Sequence, residues 1–370
     1  YGKGKIKDAD GINKGRVQTV MIVAHNMRYD FTFILSYIQC AKPLLKGTSL
    51  MGGSGRLYLS EGRFIELVFM DSYNLIASKL SGFGKMFNLE QGKEVMPYSL
   101  YSTENIETQF ISKEICLSHI KEEDHDQFLE NVNKWDCIDE DYEIDIIEYS
   151  KRYCEIDCLV LKNGLETFGK WIFKVTGLNV MSFCSMASLG LDYLISQECF
   201  VDCYKLSGRP RDFIQKSVVG GRCMTKDNKK WEVSGQIDDF DAVSLYPSAM
   251  ARMEGFLKGK PKVIKNKTFD WLKNNSDGFF VKVLALNNPT INRDFPLLSN
   301  FNGEVRNFSN NTKGNEYYID KTTYEDCVKY QGLEFKIICG YYYDEGRNNT
   351  INDVIKHLFE ARLEAKKNKN

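Results

Sequence analysis

The run Asp239-Phe-Asp-Ala-Val-Ser-Leu-Tyr-Pro-Ser-Ala-Met250 concentrates residues able to do chemistry. The pattern predicts an extended segment, Gln236 to Phe240, running into Asp241, and Pro247 sits where a helix would begin. One carboxylate is then set at a strand end, with backbone amides and a hydroxyl just beyond it. Such a corner suits a metal-bound triphosphate: the carboxylate holds Mg²⁺, and the free N–H groups of a helix start accept phosphate oxygens. The competing reading is a strand, turn and helix with a solvent-facing aspartate.

A second set of candidates lies upstream. His25-Asn-Met-Arg-Tyr-Asp30 follows an apolar run, and Tyr153-Cys-Glu-Ile-Asp157 lies in a helical stretch. Tyr153 and Asp157, at i and i+4, share one helix face, so both can point into one site. Taken singly, each piece also fits ordinary structure.

The elements that must position these residues follow from periodicity. Val17 to Ala24 reads as a buried strand and Phe31 to Tyr37 as helical. Arg56 to Asp71 alternates around Gly62, as a hairpin ending in a strand does. Asp145 to Phe173 is the strongest helical stretch, with Ile147, Cys154, Leu161, Leu165, Phe168 and Ile172 at helical spacing and Gly164 as a weak point. Alternating strands and helices predict an α/β first domain. Phe279 to Ala285 and Leu333 to Tyr343 are strand-like and suit one sheet with the Asp241 corner. The Asn-, Lys- and Gly-rich stretch Asn287 to Asn315 reads as loop or insertion, and a basic helix spans Asn352 to Lys369.

Composition sets the bounds. A chain of 370 residues suits about two or three domains. Hydrophobic content of 43% and charged content of 27% are those of a globular protein. No apolar run approaches the ~18 residues that span a membrane. The start, Tyr1-Gly-Lys-Gly-Lys5, has no signal-peptide core and no initiator Met, which suggests a fragment. Net charge is −1, yet basic clusters lie at Arg209–Arg211, Lys226–Lys230, Lys258–Lys267 and Lys366–Lys369, against an acidic Asp136 to Glu148. These runs are either solvated faces or tracts that neutralise phosphates. The 11 cysteines are scattered without a CxxC pair, which argues against zinc and disulfides and for a reduced compartment.

Asp241-Ala-Val-Ser-Leu-Tyr-Pro-Ser248 resembles the first palm motif of family B DNA polymerases. The resemblance implies that Asp241 holds both catalytic metals, helped by the main-chain carbonyl of Ala242. Ser244 and Leu245 would face the incoming dNTP, and Tyr246 would lie under its sugar and crowd out a ribose 2′-hydroxyl. The upstream pieces, in order, resemble that family's second and third proofreading motifs, on a ribonuclease-H-like 3′–5′ exonuclease domain. Asp30 and Asp157 would be metal ligands, Tyr153 would orient the attacking water, and Asn26 and Tyr29 would contact the primer end. Two Mg²⁺ ions per active site are implied, with Mn²⁺ as the alternative. Two cations about 4 Å apart need more carboxylates than two. The family supplies an Asp-x-Glu on an earlier strand; Asp141-Tyr-Glu143 has that spacing in the wrong order and reads as coincidence.

Several features resemble the protein-primed branch found in phages, linear plasmids, viruses and virus-like transposons. Asp71-Ser-Tyr-Asn-Leu-Ile76 resembles its Ser/Thr-Leu single-strand contact, with Ser72 matching and Tyr73 replacing Leu. Lys93-Glu-Val-Met-Pro-Tyr98 fits its Lys-x-x-hydrophobic pattern; Lys93 would assist exonuclease chemistry and Tyr98 would touch the primer strand. Gly220-Gly-Arg222 matches the core of its Tyr-x-Gly-Gly element, with Val218 in place of the aromatic. Glycines there let backbone approach DNA phosphates, although a plain hairpin turn has the same composition. The implied partners are primer–template DNA, dNTP and a terminal priming protein.

The expected fold is α/β, and α+β overall. A ribonuclease-H-like exonuclease domain over 1–175, lacking its first strand motif, would lead into a helical connector with the Gly-Gly-Arg turn over 176–235. A partial palm over 236–350, with an insertion at about 287–330, would end in the start of a fingers helix over 351–370. Neither a second palm carboxylate motif nor the fingers lysine is found, so the expectation is a truncated chain, inactive by itself. The expected location is inside the cell, in host nucleus or cytoplasm, or with a virus; secretion and membrane residence are not expected. Two other classes remain at this stage: a stand-alone ribonuclease-H-like nuclease, and a non-catalytic DNA-binding remnant of a mobile element.

Overall fold

The computed structural model describes the strands Lys5–Lys7 and Asn13–Arg16 and residues 18–59, 63–92, 94–226, 229–301 and 303–367. The chain divides into two units, Tyr1–Tyr193 and Leu194–Asn370. The division falls within the stretch read from the sequence as a connector.

In the first unit, β1 (Lys5–Lys7) and β2 (Asn13–Arg16) form an antiparallel pair. Then come β3 (Thr19–Ala24), α1 (Arg28–Ile34), β4 (Gln39–Lys46), β5 (Ser49–Tyr58) and β6 (Phe64–Asp71). They build a sheet of order β3-β6-β5-β4. β4, β5 and β6 are antiparallel neighbours, whereas β3 runs parallel to β6 with Ala24 opposite Asp71. Parallel pairing brings two strand C-termini side by side, where open α/β sheets carry their sites. Successive β6 side chains alternate between faces. Leu67 and Phe69 pack with Met27, Phe31, Ile38 and Leu50, while Met70 joins Leu75, Ile76 and the helices of the other face.

That other face is covered by α2 (Phe83–Phe87) and the long α6 (Ile146–Thr176). Asp145 caps α6 by accepting from the amides of Ile147 and Glu148, and Gly177 ends it in a left-handed conformation, as cap chemistry dictates. Gly164 is a contact rather than a weak point. A Cβ there would lie 2.5 Å from Phe83 Cδ2, so the missing side chain lets α2 close on α6. Between these helices lie α3 (Thr103–Thr108), β7 (Phe110–Ser112), α4 (Lys113–Ser118), α5 (His125–Lys134) and β8 (Glu143–Asp145). They form a second small core around Leu100, Cys116, Phe128 and Tyr149. The division between units falls inside α7 (Met186–Ser196).

The second unit contains α8 (Gly208–Gln215), α9 (Leu245–Met250), β9 (Phe256–Leu257), β10 (Lys262–Val263), α10 (Phe269–Asn275) and β11 (Gly278–Ala285). These are followed by β12 (Ser299–Phe301), β13 (Arg306–Phe308), β14 (Glu316–Asp320), α11 (Lys321–Gln331), β15 (Phe335–Tyr343), β16 (Arg347–Asn348) and α12 (Thr350–Lys367). An antiparallel sheet of order β10-β15-β11-β14 buries Phe279, Val281, Val283 and Ala285 from alternate positions of β11 against Leu272 of α10 and Tyr324 and Cys327 of α11.

β11 and β15 are strands of one sheet, as the sequence pattern suggests, and the structure pairs them directly. Three expectations differ. Gln236 to Phe240 is not a strand: residues 236–242 have no regular structure, and all of them are exposed. The unit's sheet is complete without this segment, and an unpaired extended stretch gains no ladder hydrogen bonds. The Gly220–Gly221 segment is irregular and joins no paired strands, so it is not a hairpin turn. Finally, β14 and α11 belong to the sheet and core, although the sequence reading put them inside an insertion.

The Asn-rich stretch after β11 is held by side-chain amides. Asn287 donates to Gly332 O and accepts from Glu334 N, and Asn288 accepts from the amides of Thr312 and Lys313. The fully buried Thr312 hydroxyl donates to Asn287 O. Buried Gln331 accepts from Leu297 N and donates to Asn310 Oδ1. Each amide carries both donors and acceptors, so it can bridge two strands of chain that share no ladder. Among the described residues no helix is long and apolar enough to cross a membrane.

Candidate functional site

In the first unit, the site grows from the paired ends of β3 and β6. Asp71, 5% exposed, accepts from Asn26 N (2.9 Å), Met27 N (3.1 Å) and Tyr73 N (3.0 Å). The chain turns at Asn26 with φ 65°, a left-handed conformation that Asn tolerates better than most residues. The Ser72 hydroxyl donates to Ala24 O (2.9 Å), and His25 Nδ1 lies 2.9 Å from Ser72 Oγ. His25 Nε2 donates to Ser78 O at 2.7 Å. The imidazole also meets Tyr73 and Phe83 edge-on.

These contacts revise one expectation. Ser72 is fully buried and its hydroxyl is engaged with Ala24 and His25, so it has no face to offer a DNA strand. The adjacent Tyr73 is the exposed residue of that turn. Asn26 and Tyr29 do present exposed side chains, Tyr29 resting edge-on against Phe33. Asp30 occupies the exposed first turn of α1.

The structure brings Tyr98, Tyr153 and Asp157 together. The two phenol oxygens are 2.9 Å apart. Burial, the Tyr98 bond and the nearby Asp157 carboxylate all raise the Tyr153 pKa above its ordinary value, so this phenol stays protonated. Tyr98 is mostly exposed and Tyr153 is buried, so the pair runs from the surface to the helix interior. Lys93 lies outside the described residues. Asp141 and Glu143 lie at a turn in which their own amides donate to Asp139 Oδ1.

In the second unit, Asp241 and Ala242 are exposed on the irregular segment ahead of α9. Ser244 precedes the helix at φ 49°, ψ 51°, and its carbonyl accepts from Ser248 N at 2.9 Å. Pro247 falls in the first turn, where a missing N–H costs nothing. Arg362 of α12 donates to Ser244 Oγ at 2.8 Å. Leu245 and Tyr246 are exposed. Gly221 lies beside Tyr246: a Cβ on it would stand 3.4 Å from the phenol oxygen. Gly220 has open space around it. The Arg222 guanidinium sits 4.2 Å above the Phe308 ring of β13, and partial burial, with Arg293 nearby, lowers its pKa.

Sequence reasoning missed Asp71, His25 and Arg362. Asp71 carried a signal, because an Asp two residues ahead of a free amide forms a side-chain turn. Arg362 had none, being 118 residues from its partner.

The chain belongs to the family described as DNA polymerase type B, organellar and viral, whose model matches residues 16–370. It is 26% identical over 226 residues to a probable DNA polymerase of Ascobolus immersus, a match covering 59% of this chain and 18% of that protein. It is 24% identical over 257 residues to one of Neurospora intermedia, covering 66% and 25%. Among solved structures, Phi29 DNA polymerase complexed with primer–template DNA and incoming nucleotides matches at TM-score 0.57 and 16% identity, over 91% of this chain and 55% of that one. The same polymerase complexed with single-stranded DNA matches at TM-score 0.53 and 15% identity. The chain thus spans about a fifth to a quarter of the curated relatives and about half of the solved ones.

Membership of this family implies divalent-metal dependence. Among the described residues no three His, Cys, Asp or Glu side chains gather as a metal site would gather them. The Asp241 carboxylate and the Ala242 carbonyl are oxygen donors suited to a hard cation. Magnesium is commonly held by one or two carboxylates together with substrate phosphates, and in that sense the residues present fit it.

Proposed function

We propose that the whole protein is a DNA-directed DNA polymerase with a 3′–5′ proofreading exonuclease, started by a terminal protein. The single observation that carries this reading is one family match running from residue 16 to 370, through both candidate sites. Primer–template DNA and dNTP are the substrates. The branch-like motifs around Tyr98 and Gly220–Arg222 support protein priming. The protein works inside the cell or with a virus, which suits free, reduced cysteines.

In the second unit, Asp241 and the Ala242 carbonyl would hold two Mg²⁺ ions, which stabilise the attacking and leaving oxygens of an in-line displacement when bound. The chain's own part is positioning. Ser244 and Leu245 line the approach of the triphosphate, and Arg362 adds a cation beside the Ser244 hydroxyl. Tyr246 presents an exposed ring against which a deoxyribose fits and a 2′-hydroxyl collides. Gly221 leaves that ring room.

In the first unit, Asp30 and Asp157 would share the metal-binding task. Protonated Tyr153, hydrogen-bonded to Tyr98, can orient a water toward the scissile phosphate. Lys93 would assist this chemistry. Asn26, Tyr29 and Tyr98 would steady the frayed primer end.

The test uses the whole protein. Asp241→Asn should abolish primer extension and leave degradation of single strands intact, and Asp30→Ala should do the reverse. Loss of both activities from either change, in protein shown to be folded, would falsify the two-site assignment.

A further inference from the structure

Asp71 belongs to neither proposed set of catalytic or DNA-contacting residues, yet it organises one of them. Its carboxylate is buried at the end of β6 and accepts three main-chain N–H groups, two from the Asn26–Met27 corner and one from Tyr73. Ser72 and His25 add a second tie between the same segments, through Ala24 O and Ser78 O. Left-handed backbone at a non-glycine residue persists only where its surroundings hold it. Asp71 supplies that hold, because charge-assisted bonds are roughly twice as strong as neutral ones.

We infer that Asp71 is a positioning residue for single-stranded DNA: it fixes the Asn26 corner and the Tyr73 turn as one rigid cradle for the primer end. It touches no substrate itself. The inference rests on the exonuclease reading above and deepens it, by assigning strand recognition to a corner that a buried carboxylate sets. The corner is shared by two sequence segments 45 residues apart, which explains why neither segment reveals it alone.

In Asp71→Asn, one acceptor oxygen becomes an N–H₂ donor facing backbone donors. The expected result is a KM for single-stranded DNA raised about tenfold, the scale of one lost charge-assisted hydrogen bond. The exonuclease kcat should stay within about twofold, since the reacting groups are untouched. Affinity for a 3′ single-stranded oligonucleotide, measured in chelator, should fall in parallel. Primer extension by the same preparation reports folding, and Asp71→Glu, which keeps the charge, should recover part of the loss.

Because Asp71 acts through Asn26, adding Asp71→Asn to Asn26→Ala should raise KM little further. Effects that multiply, or a loss confined to kcat, would overturn the positioning role. Unchanged KM in Asp71→Asn, with an active wild-type exonuclease, overturns this inference alone. A folded wild-type protein that extends primers but degrades no single strands overturns the exonuclease reading and this inference with it.

Discussion

Gly221 backs onto the hydroxyl of Tyr246: a Cβ at the glycine would stand 3.4 Å from the phenol oxygen. Ordinary contact begins at about that distance. The irregular segment carrying Gly221 thereby forms one wall of the proposed nucleotide corner. Tyr246→Val should raise ribonucleotide incorporation at least about tenfold, the scale on which a pocket separates substrates by shape. Gly221→Ala should leave discrimination near wild type, whereas Gly221→Leu should displace the ring and raise the KM for dNTP. Single-nucleotide insertion kinetics with dNTP and rNTP measure all three, and unaltered selectivity in Tyr246→Val removes the steric role.

The Tyr98–Tyr153 pair sets a second expectation. The Tyr153 pKa is raised, first by burial and then by the Tyr98 bond and the Asp157 charge. A raised pKa on an acid keeps its proton on, so the exonuclease rate should show no Tyr153 titration up to about pH 10. Tyr98→Phe removes a bond that holds the neutral form and should move any alkaline fall in rate to lower pH. A pH–rate profile for single-strand degradation reads this directly; identical profiles for the two proteins would count against the pairing.

Gly164→Ala tests the packing of α6. Helix propensity alone favours alanine by roughly 1 kcal/mol. The added methyl, however, meets Phe83 at 2.5 Å, and Phe83 is fully buried. Overpacking of this kind costs about 1–3 kcal/mol, so the substitution should destabilise the first unit in urea denaturation. Phe83→Leu in the same chain should return part of that loss.

Two thiols make stability depend on alkaline pH. Burial pushes Cys116 and Cys327 from 9.0 up to about 12, and both are fully buried. Their folded-state pKa lies above the unfolded one. The contribution is therefore complete below about pH 9 and lost as pH rises toward 12, because the unfolded chain releases protons first. Each thiol should steepen the fall by up to about 1.4 kcal/mol per pH unit. Denaturation midpoints at about pH 8 and 10.5 should show a smaller drop in Cys116→Ala and in Cys327→Ala than in wild type.

Local periodicity carried much of the fold. The α6 helix, the β5–β6 hairpin, the β11 and β15 strands and the terminal helix were legible because each is fixed by its own apolar pattern. The Gln236–Phe240 strand was not there to be read: extended propensity needs a partner strand, and pairing is a long-range property. Gly164 looked like a flaw because a helix pattern carries no information about the ring opposite. At the candidate sites, residue types were legible and exposure was not. Ser72 had the right chemistry at the right place in the motif, but its burial depends on Ala24 and His25, nearly fifty residues away.

The side-chain amides that brace the chain between β11 and α11 have a consequence for how this region can change over generations. Asn287, Asn288, Asn310, Thr312 and Gln331 hold the path as a set, so the loss of one strands the partners of another. Residues should therefore be gained or lost more readily beyond this set of braces, where β12 leads into its antiparallel partner β13. A one-residue deletion between a pair of braces would put them out of step, as a dropped stitch unravels a row, and related chains should differ in length where β12 leads into β13 while keeping the spacing on either side.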